Sequence, residues 1–164
     1  MEGSGEAWGA IAGAPIGSDG CLAVGSEVGR RYRVVAPIAA GGMGAVYLVE
    51  HLLLGKRFAL KMIATPQAPD RETVGRFLRE ARALSRVDHR NVVRVIDLGL
   101  TDGGAPYFVM ELAAGQSLAE HLAQSGAFAW PRAVEIGRQL CDALAAVHLH
   151  GIVHRDIKPS NVLL

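Results

Sequence analysis

Two cysteines, nine aromatic residues and a near-balance of charge narrow the field before any motif is read. Cys21 and Cys141 lie far apart in no metal-ligand spacing, which argues against a disulfide framework and fits a reducing, cytoplasmic setting. The aromatics are scattered, so no stacking platform for a single strand is visible. Lys and Arg number seventeen against sixteen Asp and Glu, and this gives no general attraction to a polyanion; nucleic acid is not an expected partner. No run of about 18 apolar residues occurs, so no membrane segment is expected. The first residues, "MEGSGEAWGAIAGAPIGSDG", open on Glu2 and are broken by Gly and Pro, unlike a secretory signal. No internal repeat is evident.

Half of the 164 residues are apolar, enough for a proper core. Residues 1–29, rich in Gly, Ala and Ser without period, read as a flexible leader. From Tyr32 the texture changes to short apolar runs, "YRVVAPI", "AVYLVEH" and "RFALKMI", expected as three strands. Asp70 offers an N-cap, and Val74, Phe77, Leu78, Ala81 and Leu84 follow at helical spacing. Arg76, Arg79, Arg82 and Arg86 fall on the other side of that helix, as a solvated surface or an anion-binding face. "NVVRVIDLGL" and "PYFVMEL" read as two further strands joined by "TDGGA". Ser117 then caps a short helix. Pro131 starts a longer one, with Ala133, Ile136, Leu140, Leu144 and Val147 along one side and Gly151 at its close. Strands followed by helices make an α+β chain: five antiparallel strands with one helix, then a helical part, divided near 113–116.

Three places carry polar groups where chemistry could occur. "IAAGGMGAV" lies at a strand–turn–strand junction, where missing side chains let backbone N–H groups approach a phosphate; an ordinary flexible turn has the same composition. Lys61 sits in "FALKMI", an otherwise apolar strand. It needs an anionic partner or a path to solvent at the sheet edge. Glu80 borders the apolar stripe of the helix and is a candidate partner, with a rim pairing to Arg76 as the alternative. In "HRDIKPSN", Asp156 and Asn161 bring a carboxylate and an amide together with Lys158 between them, an arrangement also open to a surface ion pair of little consequence.

Taken in order, these signals resemble a eukaryotic-type serine/threonine protein kinase of the bacterial branch, from about Tyr32 to Leu164. "GGMGAVYL" matches the family's glycine-rich loop, "FALK" its strand lysine and "HRDIKPSN" its catalytic loop. "RFLREARALSRVDHRNVVRVIDLG" is similar to its regulatory helix and following strand, and "YFVMELAAGQSL" to its hinge. The resemblance implies that residues 30–113 form the N-terminal lobe and 114–164 the start of the C-terminal lobe. It implies ATP and Mg²⁺ as cofactors and protein Ser/Thr hydroxyls as acceptors. Ile38, Ala39, Ala40, Gly41, Gly42, Met43, Gly44, Ala45, Val46 and Ala59 would bind the nucleotide, with Gly41, Gly42 and Gly44 covering the phosphates and Val46 packing on adenine. Lys61, paired with Glu80, would hold the α- and β-phosphates. Met110 would guard the back pocket, with Glu111 and Ala113 offering hinge backbone groups. Asp156 would orient the acceptor hydroxyl, Lys158 would neutralise the transferring group, and Asn161 would hold a metal ion.

The chain departs from the pattern at Ala39, where the family has its first loop glycine; the added methyl is expected to weaken ATP binding moderately. Residues 1–164 also contain no Asp-Phe-Gly, the family's principal metal-binding motif, so these residues alone are expected to transfer no phosphate. A stripe of the second helical part should be left without its usual cover. Two rival readings stand beside a kinase: a non-catalytic nucleotide-binding or interaction module, and a small-molecule phosphotransferase of the same fold.

Overall fold

The computed structural model describes residues 22–41, 44–62 and 71–164. Its elements are β1 (Glu27–Val28), β2 (Tyr32–Gly41), β3 (Gly44–His51), β4 (Arg57–Met62), α1 (Arg71–Leu84), β5 (Val95–Leu100), β6 (Pro106–Glu111), α2 (Leu118–Ser125) and α3 (Trp130–Leu149). The expected N-cap Asp70 lies outside the described residues. The chain divides into two compact units, Met1–Ala81 with Val95–Leu112 and Arg82–Arg94 with Ala113–Leu164.

In the first unit six antiparallel strands form one sheet in the order β1-β2-β3-β4-β6-β5. The sequence suggested five. The sixth, β1, is two residues long with no apolar run to announce it, and it joins the edge through backbone pairing of Glu27 with Arg33 and Val28 with Tyr32. The leader expected over 1–29 is therefore too long at its end: Leu22 and Val28 are buried, and the Leu22 N–H donates to Tyr47 Oη at 3.1 Å. Gly29 and Arg30, each with φ 57°, make the turn into β2, closed by the Arg31 N–H donating to the Val28 carbonyl. A methyl on Gly29 would collide with the Tyr107 hydroxyl.

Period-2 alternation sorts the two faces of the sheet. One face carries Val34, Ala45, Tyr47, Val49, Leu60, Met62, Tyr107 and Val109, and these form the core with Leu22, Val28 and Tyr32. Tyr32 meets the rings of His51, Phe58 and Tyr107 edge-on, at centroid distances of 5.1, 6.4 and 6.4 Å. The other face carries Val46, Ala59, Lys61, Phe108 and Met110, by the pairings Val46–Lys61, Lys61–Phe108 and Ala59–Met110. Helix α1 lies against this second face: Phe77 packs on Phe108 with ring centroids 5.6 Å apart. Its Arg76 pairs with Glu72 at 3.2 Å.

In the second unit, α2 begins with a capping box. Ser117 Oγ accepts from the Glu120 N–H at 3.1 Å while Glu120 Oε2 accepts from the Ser117 N–H at 2.6 Å. Pro131 lies in the first turn of α3, where its missing N–H costs nothing. Of the apolar stripe expected on α3, Val147 is buried, Ile136, Leu140 and Leu144 are half-buried, and Ala133 is exposed. The polar side carries Arg138 between Glu135 and Asp142, at 2.8 and 2.7 Å, and Arg138 with Gln139 holds the Glu135 carboxyl down to about 2. Gln139 also accepts from Asn91 Nδ2 at 2.9 Å, tying the segment after α1 to α3.

Candidate active site

The site expected from sequence falls in both units, and each half is built separately. In the first, β2 and β3 form a hairpin whose last pairs are Ala39–Val46, Ala40–Ala45 and Gly41–Gly44, with Gly42 and Met43 outside the described residues. Gly44 has φ 133°, a backbone setting suited to glycine. Register shifts between Val34 and Ala36 and between Pro37 and Ala39 interrupt the ladder of β2 before the hairpin tip. Ile38, Ala39 and Ala40 are exposed along this stretch, whereas Ala45 is buried in the core and can offer the hairpin only its backbone.

Directly opposite Val46 on β4 stands Lys61, half-buried, with Ala59 two residues earlier on the same face and Met110 opposite Ala59. Four of the residues expected to meet a nucleotide thus share one face of the sheet. Among the described residues Lys61 has no ion-pair partner. Glu80 belongs to α1, three residues beyond the Phe77 that packs on this face, and its side chain lies outside those described. Glu111 closes β6 and is exposed; Ala113 begins the second segment of the second unit and is half-buried.

In the second unit the segment after α3 folds into a bracket around Asp156. Lys158 Nζ lies 3.0 Å from Asp156 Oδ2, and Asn161 Nδ2 donates at 2.9 Å both to that oxygen and to the Asp156 carbonyl. The Asp156 N–H donates to His154 Nδ1 at 3.3 Å, and Arg155 takes φ 62°, the bend that reverses the chain between them. A 3-10 turn over Pro159–Asn161 brings Asn161 back toward Asp156. The strand-like end is fastened to the start of α2: the Leu118 N–H donates to the Val162 carbonyl at 2.7 Å and the Leu164 N–H to the Gln116 carbonyl at 3.0 Å. Gly115, with φ 116°, sits against the Leu164 carbonyl where a side chain could not fit. This fastening was not legible in the motif, because it depends on backbone pairing with residues some forty positions earlier.

The Lys158 ammonium holds the Asp156 carboxyl below the ordinary aspartate value of 3.8, against the opposing effect of desolvation, with a smaller contribution from the Asn161 amide. A depressed carboxylate favours the folded bracket above its unfolded pKa, and that contribution fades as pH falls through the folded value. A carbon-detected NMR titration should place the Asp156 midpoint below 3.8, with Lys158→Ala moving it upward. A midpoint at or above 3.8 in the parent chain would contradict the bracket.

As to metal, Asn161 uses its amide nitrogen on Asp156 and keeps its oxygen, the kind of ligand a hard cation takes. Among the described residues no group of three His, Cys, Asp or Glu could hold a metal ion. Of these residues, Asn161 would offer such an ion one oxygen, Oδ1.

Comparison with known proteins gives the family. Residues 32–164 match the family model described as the protein kinase domain. The chain is 38% identical over 143 residues to serine/threonine-protein kinase PrkC of Bacillus subtilis, covering 87% of this chain and 22% of that protein. It is 40% identical over 145 residues to serine/threonine-protein kinase pkn3 of Myxococcus xanthus, covering 86% and 26%. Among solved structures, the PknI kinase domain of M. tuberculosis superposes with a TM-score of 0.76 at 31% identity, covering 87% of this chain and 57% of that one. The chain thus spans about a quarter of the length of these two curated relatives and a little over half of the solved domain. It belongs to the protein kinase family, and its relatives are serine/threonine kinases, phosphotransferases by name.

Proposed function

We propose that residues 32–164 are part of the catalytic region of a bacterial-type serine/threonine protein kinase, acting on protein Ser/Thr hydroxyls with ATP and Mg²⁺. The observation that carries this reading is the Asp156 carboxylate, kept ionised and oriented by Lys158 and Asn161 within a chain matching the protein kinase family. In this reading the hairpin of Ile38–Val46 covers the phosphates with backbone N–H groups, and Val46, Ala59 and Met110 present an apolar surface to adenine. Lys61 supplies a positive charge to the phosphates and is positioned by Glu80. Glu111 and Ala113 provide backbone groups to the adenine edge. Asp156 accepts a hydrogen bond from the acceptor hydroxyl and aims its oxygen at the phosphorus, and Lys158 stabilises the charge that moves with the phosphoryl group. Bound Mg²⁺, touching Asn161, would neutralise phosphate charge. No helix among the described residues is long and apolar enough to cross a membrane. A cytoplasmic setting, supported by the exposed free thiol of Cys141, is part of the proposal.

The nucleotide half is testable on this chain. ATP with Mg²⁺, titrated to millimolar concentration in an NMR experiment, should shift the amides of Ala39–Gly41, Val46 and Lys61. Lys61→Ala should weaken binding about tenfold, the loss of roughly 1.4 kcal/mol. Absence of shifts at these amides, or an unchanged affinity in a folded Lys61→Ala, would remove the reading.

A further inference from the structure

Tyr32 opens β2 and Asp97 lies in β5, with β3, β4 and β6 between those strands in the sheet order. Their side chains nevertheless meet. Tyr32 Oη donates to Asp97 Oδ2 at 2.7 Å, and Arg31 Nη1 reaches the same oxygen at 2.9 Å. Asp97 Oδ1 accepts from the Leu98 N–H at 2.8 Å, so both carboxylate oxygens are engaged and the group is held in one orientation. The sheet is therefore curled until its second strand and its last are clasped by side chains. Tyr32 is 2% exposed, and burial followed by Asp97 raises its pKa well above the ordinary phenol value. The hydroxyl keeps its proton and remains a donor.

β2 is the strand that needs such a hold. Its ladder to β3 is broken twice, between Val34 and Ala36 and between Pro37 and Ala39, whereas β3 pairs with β4 without a shift from Ala45–Met62 to Glu50–Arg57. Beyond the second shift only three pairs separate it from the hairpin tip. Ten residues of strand span about 30 Å, so a tilt of about 5° at the clasped end moves the far end by about 2.6 Å. A displacement of that size at backbone donors is ruinous for positioning a ligand, since about 1 Å already costs heavily.

We infer that Asp97 is a positioning residue for the nucleotide site, holding the base of β2 and through it the glycine hairpin at the strand's other end. The inference rests on the reading of that hairpin as nucleotide-binding. In the full chain, Asp97→Ala should weaken ATP affinity at least about fivefold and speed amide hydrogen exchange at Ile38–Gly41, with the far-UV circular dichroism unchanged. Asp97→Asn, which keeps an acceptor for Tyr32 and loses the ion pair, should fall between. Leu22→Ala removes core packing without touching the clasp, so it should leave affinity within twofold despite lowering stability. A folded Asp97→Ala with parent affinity, or a Leu22→Ala that loses as much, overturns the inference. Should Asp97→Ala not fold, Asp97→Asn and Tyr32→Phe decide by the same comparison. A parent chain that binds no nucleotide overturns the reading of the site instead, and the exchange measurement still judges the clasp: unchanged exchange at Ile38–Gly41 defeats it.

Discussion

Gly29→Ala should destabilise the first unit by about 2–5 kcal/mol, a large share of a typical folding free energy of about 5–15 kcal/mol. Two effects add. The left-handed backbone at φ 57° costs a residue with a Cβ about 1–2 kcal/mol. The new methyl also meets the Tyr107 hydroxyl, on a side chain 1% exposed that has little room to retreat, and overpacking of this kind costs about 1–3 kcal/mol. Arg30 next to it holds the same φ of 57° with a full side chain, so the backbone setting alone is tolerated here and the collision sets Gly29 apart. Gly99 approaches the same hydroxyl, which would lie 2.7 Å from an added Cβ. Combining Gly29→Ala with Tyr107→Phe removes the colliding oxygen, and the pair should recover the steric part. Denaturant unfolding of the four proteins in that cycle measures it; a Gly29→Ala chain within about 0.5 kcal/mol of the parent would show that this turn is not packed as described.

Residues 1–164 as an isolated polypeptide should transfer no measurable phosphate from ATP to a protein acceptor. Phosphoryl transfer has little covalent chemistry for the protein to do, and depends on positioning and on neutralising the charge of the phosphates. In the proposed reading Asp156, Lys158 and Asn161 serve the acceptor side, yet the described residues hold no carboxylate cluster for a metal ion, and the sequence contains no Asp-Phe-Gly. A deficit of about 4 kcal/mol in transition-state stabilisation lowers the rate about a thousandfold. Radiolabelled ATP with Mg²⁺ and a generic protein acceptor is the measurement, and robust incorporation would show that the catalytic set is complete without the missing ligand. Such a result would leave the nucleotide half untouched, because binding at the hairpin and Lys61 is read separately.

Much of the first unit was legible along the chain. Alternation in "AVYLVEH" and "RFALKMI" separates core from outer face, and the outer residues Val46, Ala59 and Lys61 are those that the kinase motif singles out. The helical spacing of Phe77 and Ala81 likewise marks the side that is buried. Ser117 as a cap and Pro131 as a helix start are local chemistry and were readable as such. What escaped is whatever has no local signature. Glu27 and Val28 carry no strand pattern, and they become a strand because β2 offers its open edge. The charged pair Arg31 and Asp97 looks like two solvated residues in sequence, sixty-six positions apart, and only the curl of the sheet brings them together.

The amino-acid order by itself determined the kinds of element and their succession, and named the lysine, aspartate, asparagine and glycines of the kinase pattern. Those depend on neighbours within a few residues, through periodicity, caps and turns. Tertiary structure alone decided that Glu27 and Val28 become a short edge strand and that β2 is clasped to β5. It likewise decided that the loop around Asp156 is fastened to the start of α2. Each of these is a contact between distant residues, whose free energy exists only after the sheet has curled or the chain has returned on itself.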